Sequence, residues 1–254
     1  MSQPPVLRPV TKSVTEPAGQ TLSLVVGLVE PFLRRTTRVQ WRGQEHIPAE
    51  GGVIIAANHV SHYDPLVLAH FVVAAGRWPR YLGKESLFRV PLLGRLLTAC
   101  EQIPVHRNSA RAKESLGEAA AALRAGKSII IYPEGTISKE PDGWPMVARS
   151  GVIRLAMETG APVIPVAQWG AQQVMPTGRS FPRFLPPKVM RCTAGPPVDL
   201  SDLATPTAES LAVGGERVMV AITDLLADIR QQEPPVGRWS PRAEAHIDPL
   251  EKFR

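Results

Sequence analysis

The chain has 254 residues, enough for one large α/β domain or two small ones. Its hydrophobic fraction of 44% is typical of a globular protein and excludes an intrinsically disordered one. The formal net charge of +6 favours an anionic partner: nucleic acid, an acidic membrane surface or a phosphorylated substrate.

The two cysteines, Cys100 and Cys192, lack the spacing of a metal site or a redox motif. We therefore expect neither a metal nor a disulfide framework, and a reducing compartment is the default. No secretory signal opens the sequence. No apolar run reaches the ~18 residues of a membrane-spanning helix.

We predict four segments along the chain. Residues 1–20 form a flexible leader, residues 21–37 an amphipathic helix, residues 38–232 the main domain, and residues 233–254 a loose Pro-rich tail. The apolar helix ends in a basic collar, so it could lie in a headgroup region with its arginines on anionic phosphates. Packing on the core explains the same pattern equally well, and both interpretations stay open.

Apolar strands alternate with helices through the main domain. Strands are predicted at residues 38–42, 52–57, 80–84, 103–107, 128–132, 161–167 and 188–194. Helices are predicted at residues 66–75, 92–97, 110–125, 149–159 and 207–232. This alternation indicates an α/β fold with a mixed, mainly parallel central sheet of about six or seven strands flanked by helices.

A histidine and an aspartate follow the second predicted strand, in the stretch from Asn58 to Pro65. Open α/β sheets hold their ligands at the carboxyl ends of strands. There His59 suits a general base, and Asp64 suits the carboxylate that fixes its tautomer. Asp64-Pro65 is also a good helix start, so capping is the competing interpretation.

Other strands of the predicted sheet also end in charged residues, including Lys84, Arg107 and Glu134. In a mainly parallel sheet these ends share one cleft with His59 and Asp64. A base beside cations suits a substrate that carries both a hydroxyl and a phosphate. The simpler alternatives are solvated strand ends for Lys84 and Arg107 and a loop cap for Glu134.

Four blocks in order resemble the glycerolipid acyltransferases typified by 1-acylglycerol-3-phosphate acyltransferase. Residues 58–64 match the His-x4-Asp block, and Lys84-Glu85 with residues 103–107 resemble the second block. Residues 132–136 resemble the Phe-Pro-Glu-Gly-Thr block with Tyr in place of Phe, and residues 163–166 match the fourth. The resemblance covers about residues 38–195, and the ordered set is far more specific than His-x4-Asp alone.

The resemblance implies acyl transfer from a thioester, acyl-coenzyme A or acyl carrier protein, to a hydroxyl. His59 would remove the hydroxyl proton, and Asp64 would orient His59 and stabilise its cationic form. No acyl-enzyme and no cofactor are expected. The phosphorylated acceptor would be bound by Lys84, Arg107, Glu134, Gly135, Thr136 and Arg149. Glu134 would accept from a glycerol hydroxyl or anchor a neighbouring arginine.

The implied acceptor is 1-acylglycerol-3-phosphate, giving phosphatidic acid in phospholipid biosynthesis. Another lysophospholipid or a lipid-linked sugar is an alternative acceptor. A basic membrane-binding module without catalysis is a further alternative. Binding of nucleic acid is not expected, because no basic run is interleaved with aromatic residues. The expected location is the cytoplasmic face of the cell membrane, with peripheral or monotopic attachment to an anionic surface.

Overall fold

The computed structural model describes residues 14, 16, 18–105, 112–178 and 181–254. The strands are β1 (Thr37–Arg42), β2 (Val53–Ala57), β3 (Leu82–Lys84), β4 (Ile103–Val105), β5 (Ser128–Ile131), β6 (Val163–Trp169), β7 (Lys188–Ala194), β8 (Arg238–Ser240) and β9 (Ala245–Ile247). The helices are α1 (Gln20–Thr36), α2 (Asp64–Ala74), α3 (Glu85–Phe88), α4 (Leu93–Ala99), α5 (Ala112–Arg124), α6 (Gly151–Thr159), α7 (Ala171–Val174) and α8 (Ala208–Arg230).

The central sheet has five strands in the order β1-β7-β6-β2-β5. Only the β6–β7 pairing is antiparallel; β2 pairs in parallel with both β5 and β6, and β1 pairs in parallel with β7. The predicted α/β class and mainly parallel sheet are confirmed. Because β2 lies between β6 and β5 and is fully buried, the residues that follow it emerge between two neighbouring strand ends.

The predicted count of six or seven strands in one sheet is corrected. β3 and β4 form a separate parallel pair, which meets the central sheet at a single bridge between Tyr81 and Ile130. Each strand of this pair is three residues long, and Pro104 in β4 has no N–H to donate to a ladder. The pair therefore extends the sheet edge without joining the sheet along its length.

Two helical layers cover the two faces of the sheet. Along β2, Val53, Ile55 and Ala57 pack with α2, whereas Ile54 and Ala56 pack with α5, α6 and α8. This alternation follows the two-residue period of a strand. The two hydrophobic clusters fix β2, and with it the loop that carries His59.

The amphipathic N-terminal helix is present as α1. Leu22 and Leu33 are buried, while Leu24, Leu28 and Phe32 are exposed. Within the described part of the chain, no helix combines the length and the apolar character that crossing a membrane requires.

Residues 233–254 do not form a loose tail, which corrects the sequence prediction. β8 and β9 pair as an antiparallel hairpin, and Arg238 in β8 is buried. The prolines that suggested looseness lie outside the paired strands, at positions such as Pro234, Pro235 and Pro241. An isolated bridge joins Trp239 of the hairpin to Met146 of the main domain.

Candidate active site

His59 and Asp64 form a hydrogen-bonded pair immediately after β2. His59 Nδ1 lies 3.0 Å from Asp64 Oδ2, and the Asp64 side chain is fully buried. The His59 side chain keeps 15% of its surface exposed. Because Nδ1 is engaged, Nε2 is the nitrogen that remains for a substrate hydroxyl.

Asp64 also organises the loop that carries His59. The same oxygen, Oδ2, accepts from the backbone N–H groups of Val60 and Ser61. Helix α2 begins at Asp64, as expected, but the carboxylate bonds to the preceding loop rather than capping its own helix. Burial raises the pKa of Asp64, and the contacts with His59 and the two N–H groups oppose that rise.

An aromatic stack packs against one face of the His59 imidazole ring. The rings of His59 and Tyr132 are 4.0 Å apart and tilted by 11°, and the ring of Tyr81 stacks on Tyr132. Burial raises the pKa of the Tyr132 hydroxyl well above its usual value, so this residue stays neutral. Tyr132 had no role in the sequence prediction, although it lies in the third quoted block.

The buried carboxyl group of Glu134 faces protein main chain rather than the cleft. Oε1 accepts from His59 N at 3.1 Å and Oε2 accepts from Met146 N at 3.1 Å. Burial raises the Glu134 pKa to about 8, against the opposing effect of these two donors. Both carboxyl oxygens thus accept hydrogen bonds from the protein main chain. The sequence had suggested a contact between Glu134 and a substrate hydroxyl.

Gly135 and Arg149 lie against each other at the cleft. Gly135 has a φ of 72°, and a β-carbon placed there would come within 2.6 Å of Arg149 Nε. Arg149 Nε donates to the backbone carbonyl of Glu134 at 3.4 Å. The expected arginine anchor near Glu134 therefore exists, but its partner is the carbonyl, not the carboxylate.

A cleft of about 660 Å³ opens beside the imidazole. Its lining includes the polar or charged side chains of His59, His62, Lys84, Thr136 and Arg149, together with Gly135. The apolar part of the lining includes Leu82, Leu87, Phe88, Leu97, Leu116, Ile131 and Val152. One cavity thus combines a base, two cations and enough apolar surface for a hydrocarbon chain.

The structure brings most of the predicted site residues together. His59, Lys84, Gly135, Thr136 and Arg149 line the cleft, while Asp64 and Glu134 lie behind it. Arg107 falls outside the described residues. The described residues contain no cluster of three side chains suited to a metal ion.

Two polar residues near His59 shape the loop. Asn58 exchanges two hydrogen bonds with the backbone of Gln168, which ties the ends of β2 and β6 together. Ser61 Oγ donates to the carbonyl of Met175 at 2.8 Å. His62 is exposed and borders the cleft.

A family model described as Acyltransferase matches residues 38–169. The chain belongs to the acyltransferase family. This region includes His59, Asp64 and every substrate-binding residue proposed from the sequence. The resemblance to 1-acylglycerol-3-phosphate acyltransferases is thereby confirmed at the level of the family.

Named relatives of this acyltransferase chain share the same region. A 1-acyl-sn-glycerol-3-phosphate acyltransferase of Borreliella burgdorferi is 35% identical over 130 residues, 49% of this chain and 48% of that protein. The chloroplastic 1-acyl-sn-glycerol-3-phosphate acyltransferase LPAT1 of Arabidopsis thaliana is 27% identical, with 56% of this chain and 38% of that protein covered. The chain thus spans less than half the length of these two relatives.

A solved structure carries the same fold. The crystal structure of the 1-acyl-sn-glycerophosphate acyltransferase PlsC from Thermotoga maritima matches with a TM-score of 0.62 at 24% identity, covering 82% of each chain. At this identity the likeness establishes the arrangement of the sheet and helices. The chemistry has to be argued from the cleft itself.

Proposed function

We propose that this chain transfers a fatty acyl group from a thioester to the free hydroxyl of a lysophospholipid, with 1-acylglycerol-3-phosphate as the preferred acceptor. The observation that carries the proposal is the His59–Asp64 pair, 3.0 Å apart, with His59 lining a cleft that has both charged and apolar side chains in its lining. A substrate with a hydroxyl, a phosphate and an acyl chain fits those three kinds of surface. The names of the relatives agree with this choice.

The chemistry follows from the hydrogen bond between His59 Nδ1 and Asp64, which leaves Nε2 for the substrate. His59 Nε2 removes the acceptor's hydroxyl proton as the oxygen attacks the thioester carbonyl. The resulting imidazolium is stabilised by the Asp64 carboxylate on the other ring nitrogen. When the tetrahedral intermediate collapses, His59 returns the proton to the leaving thiolate, which gives an ester and a free thiol. The transfer is direct, so no acyl-enzyme forms and no resident cofactor takes part.

The phosphate of the acceptor binds at Lys84 and Arg149, the two described cations that line the cleft. Neither forms an ion pair with a carboxylate among the described residues, and both side chains are exposed. The left-handed turn at Gly135 brings main chain close to the same place. A phosphate there leaves the glycerol hydroxyl within reach of His59.

Membrane attachment belongs to the same proposal, because both lysophospholipid and product reside in a bilayer. The exposed apolar residues of α1, Leu24, Leu28 and Phe32, precede Arg34 and Arg35 at its carboxyl end. The Phe32 ring contacts Phe184 at 5.0 Å, beside the exposed Phe181 and Leu185. Such a surface suits insertion into the headgroup region of an anionic membrane, on its cytoplasmic face.

An acceptor panel tests the activity. Purified protein receives palmitoyl- or oleoyl-coenzyme A, or the matching acyl carrier protein, with several acceptors. These are 1-acylglycerol-3-phosphate, lysophosphatidylcholine, monoacylglycerol and a lipid-linked sugar, and the acylated position is determined by mass spectrometry. We expect the highest kcat/KM with 1-acylglycerol-3-phosphate. Preference for a different acceptor would replace the substrate assignment, and no acylation of any acceptor would refute the proposed function.

Liposome flotation tests the membrane surface separately. A chain that begins at Thr37 lacks α1, and we expect it to lose binding to anionic vesicles. The triple variant Leu24→Ser, Leu28→Ser and Phe32→Ser changes only exposed positions and should have the same effect. Undiminished flotation of both would contradict the role of α1.

A further inference from the structure

The main chain of His59 is held on both sides by one segment, residues 134–147, which we call the bracing loop. His59 N donates to Glu134 Oε1 at 3.1 Å. The carbonyl oxygen of His59 accepts from Ser138 N at 2.7 Å. The position of the imidazole above the cleft therefore depends on where the bracing loop lies.

Hydrogen bonds to two buried carboxyl groups hold the bracing loop in shape. Glu134 Oε2 accepts from Met146 N at 3.1 Å, which ties the two ends of the loop together. Glu140 Oε2 accepts from the backbone N–H groups of Asp142 and Trp144 at 2.7 and 2.8 Å. These bonds hold the bracing loop in one conformation, so a displacement of one end of the loop also displaces His59.

The C-terminal hairpin, residues 238–247, contacts the carboxyl end of the bracing loop. Val147 N donates to the carbonyl of Trp239 at 3.1 Å, next to the bridge between Met146 and Trp239. His246 Nε2 lies 3.5 Å from Glu140 Oε1. The hairpin thus contacts the bracing loop through its main chain and through one side chain.

Buried Arg238 fixes the hairpin to α8. Its Nε donates to Glu216 Oε1 at 2.9 Å, and its Nη1 donates to Thr223 Oγ1. Arg230, at the end of the same helix, lies 4.0 Å from the Trp144 ring and 4.3 Å from the Trp169 ring, and donates to the carbonyl of Asp142. Helix α8 therefore holds the bracing loop at two points, one of them through the hairpin.

We propose that the C-terminal hairpin, anchored by Arg238, is a positioning element for His59. Both α8 and the hairpin lie beyond residues 38–169, so this chain supports the loop that carries His59 with elements outside the region that the family model matches. The inference rests on the proposed acyl transfer. Arg238 touches neither substrate nor the reacting atoms, so its effect is transmitted through the bracing loop.

The test compares Arg238→Met with Arg242→Met. Arg242 is an exposed arginine in the same hairpin, so the second variant controls for the loss of an arginine there. A displacement of about 1 Å at a catalytic group can cost on the order of 10²-fold in rate. We expect Arg238→Met to lower kcat by roughly 10- to 10²-fold with KM for the acceptor nearly unchanged. Arg242→Met should match the wild type, and Arg238→Lys should restore part of kcat.

Hydrogen exchange provides the second measurement, and His246→Ala, which removes the hairpin side chain beside Glu140, is the second variant. Arg238→Met and His246→Ala should each raise exchange at residues 134–147, while exchange in β2 stays as in the wild type. If Arg238→Met fails to fold, a lower kcat of folded His246→Ala with unchanged KM supports the same role. Unchanged kcat in a folded variant whose bracing loop exchanges faster would overturn the inference. In that outcome the wild type still transfers acyl groups. Failure of the proposed function is distinguishable, because the wild type itself would then show no acyl transfer.

Discussion

The central sheet has one side where its parallel strands begin, the amino-end edge, and one where they end, the carboxyl-end edge. These two sides hold positive charges in different ways. At the amino ends of β2 and β5, Arg77 is fully buried and donates to the carbonyls of Gly51 and Gly126, each at 2.7 Å. Near the carboxyl ends of these strands, Lys84 at the end of β3 and Arg149 just before α6 are exposed and line the cleft. Arg77 has its donors satisfied by protein, whereas the cleft cations have charge to offer a ligand.

The amino-end edge is neutralised by carboxylates. Glu16 pairs with both Arg77 and Arg80, and Glu101 pairs with Arg80 and Lys127. Burial raises the Glu101 pKa, but the bonds from Lys127, Gly19 and Arg80 outweigh it and lower the value to about 2. The contrast separates cations that are paired inside the fold from cations that line the cleft, where we propose that the phosphate binds, although both appear in the sequence as basic residues near strands.

The largest effect at the carboxyl-end edge is expected for Asp64→Asn. The amide oxygen can still accept from Val60 and Ser61, so the loop keeps its shape, but the negative charge beside His59 is lost. We expect kcat to fall by ~10²–10⁴-fold, the range of general base catalysis. The melting temperature should change little, and Asp224→Asn, at an exposed position of α8, serves as the control. A kcat within twofold of the wild type would show that Asp64 only shapes the loop.

At the amino-end edge, removal of a buried arginine should lower the stability of the fold rather than the rate of catalysis. Arg77→Met leaves Glu16 with one arginine and removes the donors to three backbone carbonyls. Breaking a buried ion pair costs ~3–5 kcal/mol, so we expect a loss of unfolding free energy of that size. Urea denaturation measures it, and kcat per folded molecule should remain that of the wild type. A stable variant with poor catalysis would reverse the assignment of the two edges.

These two edges also show how far the sequence could lead. Apolar periodicity placed β1 to β7 and the six longer helices but not the four-residue α3 and α7, and the ordered blocks placed His59 and Asp64 at the end of β2. The contacts of Glu134 could not be read from its block, because its second partner, Met146, reaches it only through the folded loop. The hairpin of residues 238–247 was missed because prolines before and within it suggested a loose tail.

A smaller effect is expected for the cleft cations. Arg149→Gln and Lys84→Gln each remove one charge-assisted contact worth ~1.5 kcal/mol, or about tenfold in kcat/KM for the phosphorylated acceptor. Acylation of an uncharged acceptor such as monoacylglycerol should be nearly unaffected. Arg154→Gln on α6 and Lys252→Gln are matched exposed controls outside the cleft lining. Equal losses with both acceptors would argue against phosphate binding at these residues.

The last effect concerns the pH dependence of stability rather than catalysis. The Glu134 pKa is about 8 in the folded protein, above the ordinary 4.5. Between these values the unfolded chain has released the proton and the folded chain retains it, so this group's contribution to stability falls as pH rises from about 5 to about 8. Denaturation across this range should show a steeper decline for the wild type than for Glu134→Gln. Parallel curves would mean that Glu134 does not titrate in this window.

The rate of acyl transfer to 1-acylglycerol-3-phosphate by His59→Ala is the most direct test of the central claim. The variant removes the imidazole and leaves Lys84, Arg149 and the apolar residues of the cleft lining in place. We predict a kcat lower by ~10²–10⁴-fold, with acceptor binding retained and the melting temperature close to that of the wild type. A folded His59→Ala chain that acylates this acceptor at nearly the wild-type rate would contradict the assignment of His59 as the catalytic base.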